Sequence, residues 1–313
     1  MQAMVAPETA GDPMGEQKWV RSSLRHLSAK LKAKGHPACP TTVGRLLEKM
    51  DYSLQANVKR WAGAQHPDRT TQFEYIESQK QRFLSQDWPV ISVDAKKKEL
   101  IGNFKNAGRC WCQAAEVVND HDFESEALGK AVPYGIYDLN HNRGYVYVGQ
   151  SADTAEFAVD VIAQWWQTVG CRDFSHAPCL LVLCDGGGSN GWRSRLWKVQ
   201  LQEQLADLLE LEVTVCHYPK GASKWNPVEH RLFGPISLNW AGKPLRTFDT
   251  MLAYIRGTTT RAGLQVSACL VEQLYERGIK VADEVMQSLN LERHTTCPNW
   301  NYTIRPRLVS VCT

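Results

Sequence analysis

Cys179-Leu180-Leu181-Val182-Leu183-Cys184-Asp185-Gly186-Gly187-Gly188, residues 179–188, is the segment around which the rest of the chain can be ordered. Six apolar residues without alternation suit a short strand buried on both faces. An aspartate closes the run and three glycines follow. A carboxylate at the end of a buried strand is costly unless it is paired or binds a cation. The glycines let backbone approach a ligand closely, or turn tightly into a helix. They do not form a P-loop, because no Gly-Lys-Ser/Thr follows. Upstream, Val90-Ile91-Ser92-Val93-Asp94 has the same design, an apolar strand ending on an aspartate.

Outward from these two strands the pattern alternates. Gln72 to Leu84 carries Phe73, Ile76 and Phe83 at helical spacing. Tyr134 to Leu139 and Tyr145 to Val148 flank Asn140-His141-Asn142-Arg143-Gly144, which predicts a hairpin. Helices are expected over 154–169 and 191–210, and a strand over 211–217. A last helix is expected over 226–240, with Asn226 as N-cap and Pro227 in its first turn. The order is strand, hairpin, helix, strand, helix, strand, helix. It predicts an α/β fold, a mixed sheet flanked by helices, an order found in ribonuclease-H-like domains and in part in other α/β folds.

Strand C-terminal ends are where α/β sheets build sites, so Asp94 and Asp185 are candidate functional residues. A third acid, Glu229, lies in Trp225-Asn226-Pro227-Val228-Glu229-His230-Arg231. Its ordinary reading is a capping box, with Asn226 at the cap and Glu229 three residues on. In the expected fold it also falls at the sheet edge that carries the two aspartates. Three convergent carboxylates suit two hard, oxygen-ligated divalent cations, such as Mg²⁺ or Mn²⁺, about 3.5–4 Å apart.

The 313 residues are 43% hydrophobic, which excludes a wholly disordered chain, and carry a net charge of only +3. The charge is unevenly placed. Residues 17–60 hold ten Lys/Arg against Glu48 and Asp51, a net +8, while the rest of the chain is slightly acidic. Within that segment Leu24, Leu27 and Leu31 mark one helix, ended by Gly35. Val43, Leu46 and Leu47 mark a second over 41–50, capped by Thr41 or Thr42. Two short helices with basic residues such as Arg45 and Lys49 on the second predict a small helix-turn-helix-like DNA-binding segment. An ordinary helical hairpin with a solvated face fits the same spacing.

Other classes are set aside. No apolar run is long enough to cross a membrane, and the N-terminus lacks the basic and apolar regions of a signal peptide. The ten cysteines have no CxxC spacing, and Cys110/Cys112 and His294/Cys297 do not pair as zinc ligands should. They read as reduced thiols of a cytoplasmic protein. No Gly-x-Ser-x-Gly supports a nucleophilic serine.

The stretches Val90 to Asn106, Asp185-Gly186-Gly187-Gly188-Ser189-Asn190-Gly191, and Lys224-Trp225-Asn226 with Glu229-His230-Arg231-Leu232-Phe233 resemble bacterial insertion-sequence transposases with a Rhodopirellula-type DDE domain. His66-Pro67-Asp68-Arg69, Asp153 to Ala158 and Trp300-Asn301-Tyr302-Thr303-Ile304 extend the resemblance from about residue 11 to 304. It implies a ribonuclease-H-like core whose catalytic, metal-binding triad is Asp94, Asp185 and Glu229, with Asp185 91 residues after Asp94 and Glu229 a further 44 on. It implies two Mg²⁺ (or Mn²⁺) ions, DNA strand cleavage and strand transfer at element ends, and a homo-oligomer acting on DNA near the nucleoid.

Two departures accompany it. Family members carry more sequence ahead of this region, and Pro227-Val228 replaces an expected Lys-Ile-like pair. The first motivates an alternative: a truncated, catalytically unproductive DNA-binding remnant, or an inhibitor of a transposase. A host nuclease or resolvase of the same fold would share the metals.

Lys96, Lys97 and Lys98 follow the first aspartate and could hold DNA phosphates, or keep a hairpin edge soluble. Lys224, His230 and Arg231 flank Glu229 and could contact the scissile phosphate or only solvent. The domain boundaries expected are an irregular 1–16, DNA-binding 17–60, a linker and helix over 61–88, a catalytic domain over 89–260 and an extension over 261–313.

Overall fold

The computed structural model describes residues 9–11, 18–20, 22–53, 66–222 and 225–307. The chain divides into two compact units, Met1–Ala62 and Gly63–Thr313.

In the first unit, β1 (Thr9–Gly11) pairs antiparallel with β2 (Lys18–Val20). Helix α1 (Leu24–Ala33) starts at Ser23, whose hydroxyl accepts the His26 N–H at 3.2 Å. Helix α2 (Pro40–Glu48) differs from expectation at its start. Cys39, not Thr41 or Thr42, holds the cap position, and its side chain makes no cap bond to the backbone. Proline explains the shift, since its fixed φ suits the first turn and it has no N–H to satisfy there. Leu27, Leu31, Val43 and Leu47 bury one another between the helices.

The second unit opens with α3 (Arg69–Ser85) and β3 (Val90–Ala95). Next come β4 (Glu99–Ile101) and the hairpin β5 (Gly129–Asp138) and β6 (Arg143–Gly149). Helix α4 (Ala155–Trp165) runs on into a π-helical stretch, Trp166–Gly170. Strand β7 is Cys179–Cys184. Helix α5 (Arg195–Gln200) likewise continues as Leu201–Asp207, and begins four residues later than expected because Ser194, not Gly191, caps it. Strand β8 is Glu212–His217. Helix α6 begins as a π-helical stretch, Val228–Phe233, and continues as Gly234–Asn239. Then follow α7 (Phe248–Arg256), β9 (Gln265–Val271), α8 (Asp283–Gln287), β10 (Leu291–Arg293) and β11 (Asn301–Ile304).

Nine strands form one mixed sheet in the order β10-β11-β8-β7-β3-β5-β6-β9, with β4 beside β5. Of the central five, β3, β7 and β8 run parallel, while β5 is antiparallel to both β3 and β6, the mixed sheet expected from the sequence. The segment after residue 260 supplies β9 to one edge of this sheet and β10 and β11 to the other.

Alternation along the strands sorts the core. Ile91 and Val93 of β3, with Leu180, Val182 and Cys184 of β7, face α4 and α5 and pack against Phe157, Trp165 and Trp197. The opposite face is covered by α3, through Ile76 and Phe83, and by α6 and α7, through Val228, Leu232, Phe233 and Met251. Val90, Leu181 and Leu183 point to that second face. Period two then assigns Ser92 and Asp94 of β3, and Asp185 just after β7, to it as well.

Candidate active site

Register decides where the two aspartates meet. In the parallel β3–β7 pair Val93 lies opposite Cys184, so the next residues, Asp94 and Asp185, emerge side by side at the strands' C-terminal edge. On the other flank of β3, Asp94 lies opposite Gly135 of β5. A Cβ at Gly135 would fall 2.6 Å from the Phe233 ring and 3.1 Å from Val228 Cγ2. The missing side chain is what lets the first turn of α6 lie against the sheet here, and that turn carries Glu229.

The three carboxyls sense one another. Asp94 and Glu229 share a side-chain hydrogen bond. Burial first, then the charges of Asp185 and Glu229, pushes Asp94 up to about 8. Burial and the charge of Asp185 raise Glu229 too, against the opposing effect of the Asp94 hydrogen bond and the Lys96 ammonium. The cluster thus holds a proton where isolated carboxyls would have lost theirs. Among the described residues no group of three or more His, Cys, Asp or Glu side chains is arranged to hold a metal ion. The donor chemistry nevertheless fits a hard cation: all three groups are anionic oxygens, and their mutual repulsion is what a dication relieves.

The capping-box reading of Asn226 and Glu229 does not hold. The Glu229 carboxyl turns to Asp94, and Asn226 is fully buried with its Oδ1 accepting the Ser92 hydroxyl at 2.5 Å. The Ser92 oxygen in turn accepts the Val228 N–H at 3.0 Å. A residue 134 positions away in sequence therefore takes the cap's role.

Behind Asp185 lies a buried polar chain centred on His217, which the sequence marks as a satisfied structural histidine at a strand end without showing its link to Asp185. His217 Nδ1 lies 3.1 Å from the Asp185 carbonyl oxygen and 3.2 Å from Cys184 Sγ, and its Nε2 lies 3.2 Å from the Tyr302 hydroxyl. Trp197 Nε1–H donates to that hydroxyl at 2.9 Å. Gln72 and Asn301 exchange amide hydrogen bonds, and Gln72 also donates to the His217 carbonyl at 2.8 Å. Burial lowers His217 to about 4, so it is neutral. The Lys198 ammonium, lowered by burial to about 8, holds the Trp192 carbonyl and so ties down the loop after Asp185. The only sequence signal was a histidine and an asparagine at the ends of neighbouring apolar strands.

The candidate DNA contacts scatter. Lys96 points inward: its ammonium pairs with Glu99 at 2.7 Å and lies 4.8 Å from the Trp240 ring centroid. Lys97 and Lys98 line a cleft of about 380 Å³ with Lys105 and Lys130, opposite Asp122 and Glu124. His230 and Arg231 are exposed but line a separate groove with Phe73, Lys80 and Trp225, because their side chains leave α6 in directions other than that of Glu229. Lys224 lies outside the described residues. Arg45 on α2 of the first unit and Lys49, which caps its C-terminus, are exposed. Asp185 borders a cleft of about 830 Å³ whose walls include Trp192, Arg193, Lys220 and Trp300. His294, which the sequence does not support as a zinc ligand, is engaged by the Tyr75 hydroxyl and Thr303.

A family model described as the Rhodopirellula transposase DDE domain matches residues 1–306. Among solved structures, a Mos1 transposase paired-end complex with the left transposon end is 15% identical, with 78% of this chain and 73% of that chain covered and a TM-score of 0.44. A Mos1 mariner paired-end complex with Mn is 14% identical, with 75% and 65% covered and a TM-score of 0.45. The corresponding complex with Mg is 14% identical, with 79% and 73% covered and a TM-score of 0.46. No curated protein matches the chain.

Proposed function

The chain belongs to the DDE transposase family of the Rhodopirellula type, and from that premise we propose that it cleaves DNA strands at the ends of an insertion sequence and joins them to target DNA. The convergence of Asp94, Asp185 and Glu229 carries the reading, since the raised proton affinities of Asp94 and Glu229, both caused in part by the charge of Asp185, mark a cluster that suits a positive charge.

In this reading the three carboxylates hold two Mg²⁺ or Mn²⁺ ions. Bound there, the ions would lower the pKa of a water or a DNA 3′-hydroxyl and stabilise the leaving 3′-oxygen. The chain's own residues do the rest. Asp94 and Glu229 share a proton that a cation held there would displace. Asp185 is fixed from behind by the His217 chain. Lys96, held by Glu99 and Trp240, moderates the charge of Glu229 from the protein side rather than gripping DNA. Phosphate contacts fall to Lys97 and Lys98 beside the site, and to Arg45 and Lys49 on the helical unit, which positions the DNA. Lys224, His230 and Arg231 remain candidates for the flanking strand, and the active species is a homo-oligomer that pairs two ends.

A strand-joining assay tests this. A labelled duplex of the element's terminal repeat is incubated with supercoiled plasmid and Mg²⁺ or Mn²⁺, with Asp185→Asn as control. Metal-dependent joining that the substitution abolishes supports the reading. Retarded migration of the repeat without joining points instead to a DNA-binding remnant.

A further inference from the structure

We infer that Ser92, acting with Asn226, is a positioning residue that sets the separation of Asp94 and Glu229. The inference rests on the triad reading above and goes beyond it to a residue that touches neither metal nor DNA.

Ser92 lies two residues before Asp94 on β3, so both side chains leave the strand on the same face. That face is otherwise apolar, lined by Val90 and the residues of α3 and α6. Ser92 and Asn226 are both fully buried. One hydroxyl makes two joints: it donates to Asn226 Oδ1 at 2.5 Å and accepts from Val228 N–H at 3.0 Å. The Asn226 carbonyl then accepts the Glu229 N–H at 3.1 Å. Strand β3, which carries Asp94, is thereby pinned through Ser92 to Asn226 and Val228, three residues and one residue before Glu229.

Packing alone does not ask for this. A buried pair of apolar side chains would seal the same contact without desolvating polar atoms. The arrangement is costly, too, because Asn226 Nδ2 is buried and finds no hydrogen-bond partner among the described residues. What a hydrogen-bonded pin supplies and an apolar contact does not is a fixed distance and direction. Two carboxyls that repel each other need such restraint if they are to meet one cation at a set spacing.

The test compares Ser92→Ala, Ser92→Thr and Asn226→Ala with the full-length wild type. Mn²⁺ binding is followed by the loss of the free-ion EPR signal, thermal unfolding is recorded alongside, and Glu229→Gln is the control. Removing a group that orients a metal ligand typically weakens metal affinity about 10–100-fold. Ser92→Ala and Asn226→Ala are expected to fall in that range, while Ser92→Thr, which keeps the hydroxyl, stays within about threefold of wild type on the same scale. A purely structural join predicts a lower Tm with unchanged Mn²⁺ affinity in both alanine variants, and that result overturns the inference. If Ser92→Ala does not fold, the near-isosteric Ser92→Cys is read by the same criteria. If Glu229→Gln itself binds Mn²⁺ like wild type, the triad reading fails instead.

Discussion

In the proposed reaction single residues carry the chemistry, and folding alters the proton affinity of two of them, Asp94 and Glu229. Asp94 has its proton affinity raised by folding, so its contribution to stability is full below the ordinary carboxylate range and is lost as pH rises through about 8. The metal-free protein should therefore melt lower at pH 8.5 than at pH 5. Asp94→Asn should raise Tm by several degrees at pH 8.5 and change it little at pH 5, at about 2–4 °C per kcal/mol for a unit of this size. Thermal scans at the two pH values check it, and a variant that destabilises equally at both speaks against a crowded carboxyl. His217 behaves oppositely. Burial depresses it to about 4, so its stabilising neutral form is present above the ordinary histidine range and is lost as pH falls from there through about 4. His217→Gln should flatten the acid limb of the unfolding profile. It should also loosen Asp185, seen as weaker Mn²⁺ binding.

Secondary-structure elements decide whether those residues meet. The two strands and their aspartates could be read from apolar runs ending in Asp, because burial on both faces leaves no other pattern. Even the shared face of Asp94 and Asp185 follows from period two. Asn226 was misread because its true partner, Ser92, is remote in sequence, and a local cap motif cannot reveal a tertiary one. The partners of Lys96 were out of reach for a related reason: only the fold brings Glu99 and Trp240 around its ammonium. Likewise β9 to β11 left weak signals, being short or half-exposed at the sheet edges. Gly135 shows how fine the fit between elements is. Gly135→Ala would drive a methyl into Phe233 and Val228, at a cost of about 1–3 kcal/mol. The turn bearing Glu229 should shift away from Asp94, so strand cutting should fall far more than DNA binding. Equal loss of both in cleavage and gel-shift measurements would contradict the close-packing account.

At the level of the whole molecule, the proposed function places the chemistry in the second unit and shares DNA binding between the basic helices of the first and Lys97 and Lys98 of the second. The basic segment was evident from charge alone, and the exposed Arg45 and Lys49 sit on its second helix and at that helix's C-cap. Replacing both with alanine should weaken binding of the terminal repeat and lower the salt dependence of that binding by up to about two phosphate contacts. Mn²⁺ binding by the second unit should be unchanged. A salt titration of repeat binding checks the first part, and an unaltered slope would remove α2 from the interface.

The central claim is that Asp94, Asp185 and Glu229 form one cation site at the edge of the sheet. Diffraction at the manganese absorption edge, from crystals soaked in Mn²⁺, tests it most directly. The account predicts anomalous peaks in contact with Asp94 and with both Asp185 and Glu229, and their loss in Asp185→Asn. Manganese that binds only elsewhere, for example at Asp122 and Glu124, or that persists unchanged in Asp185→Asn, would contradict it.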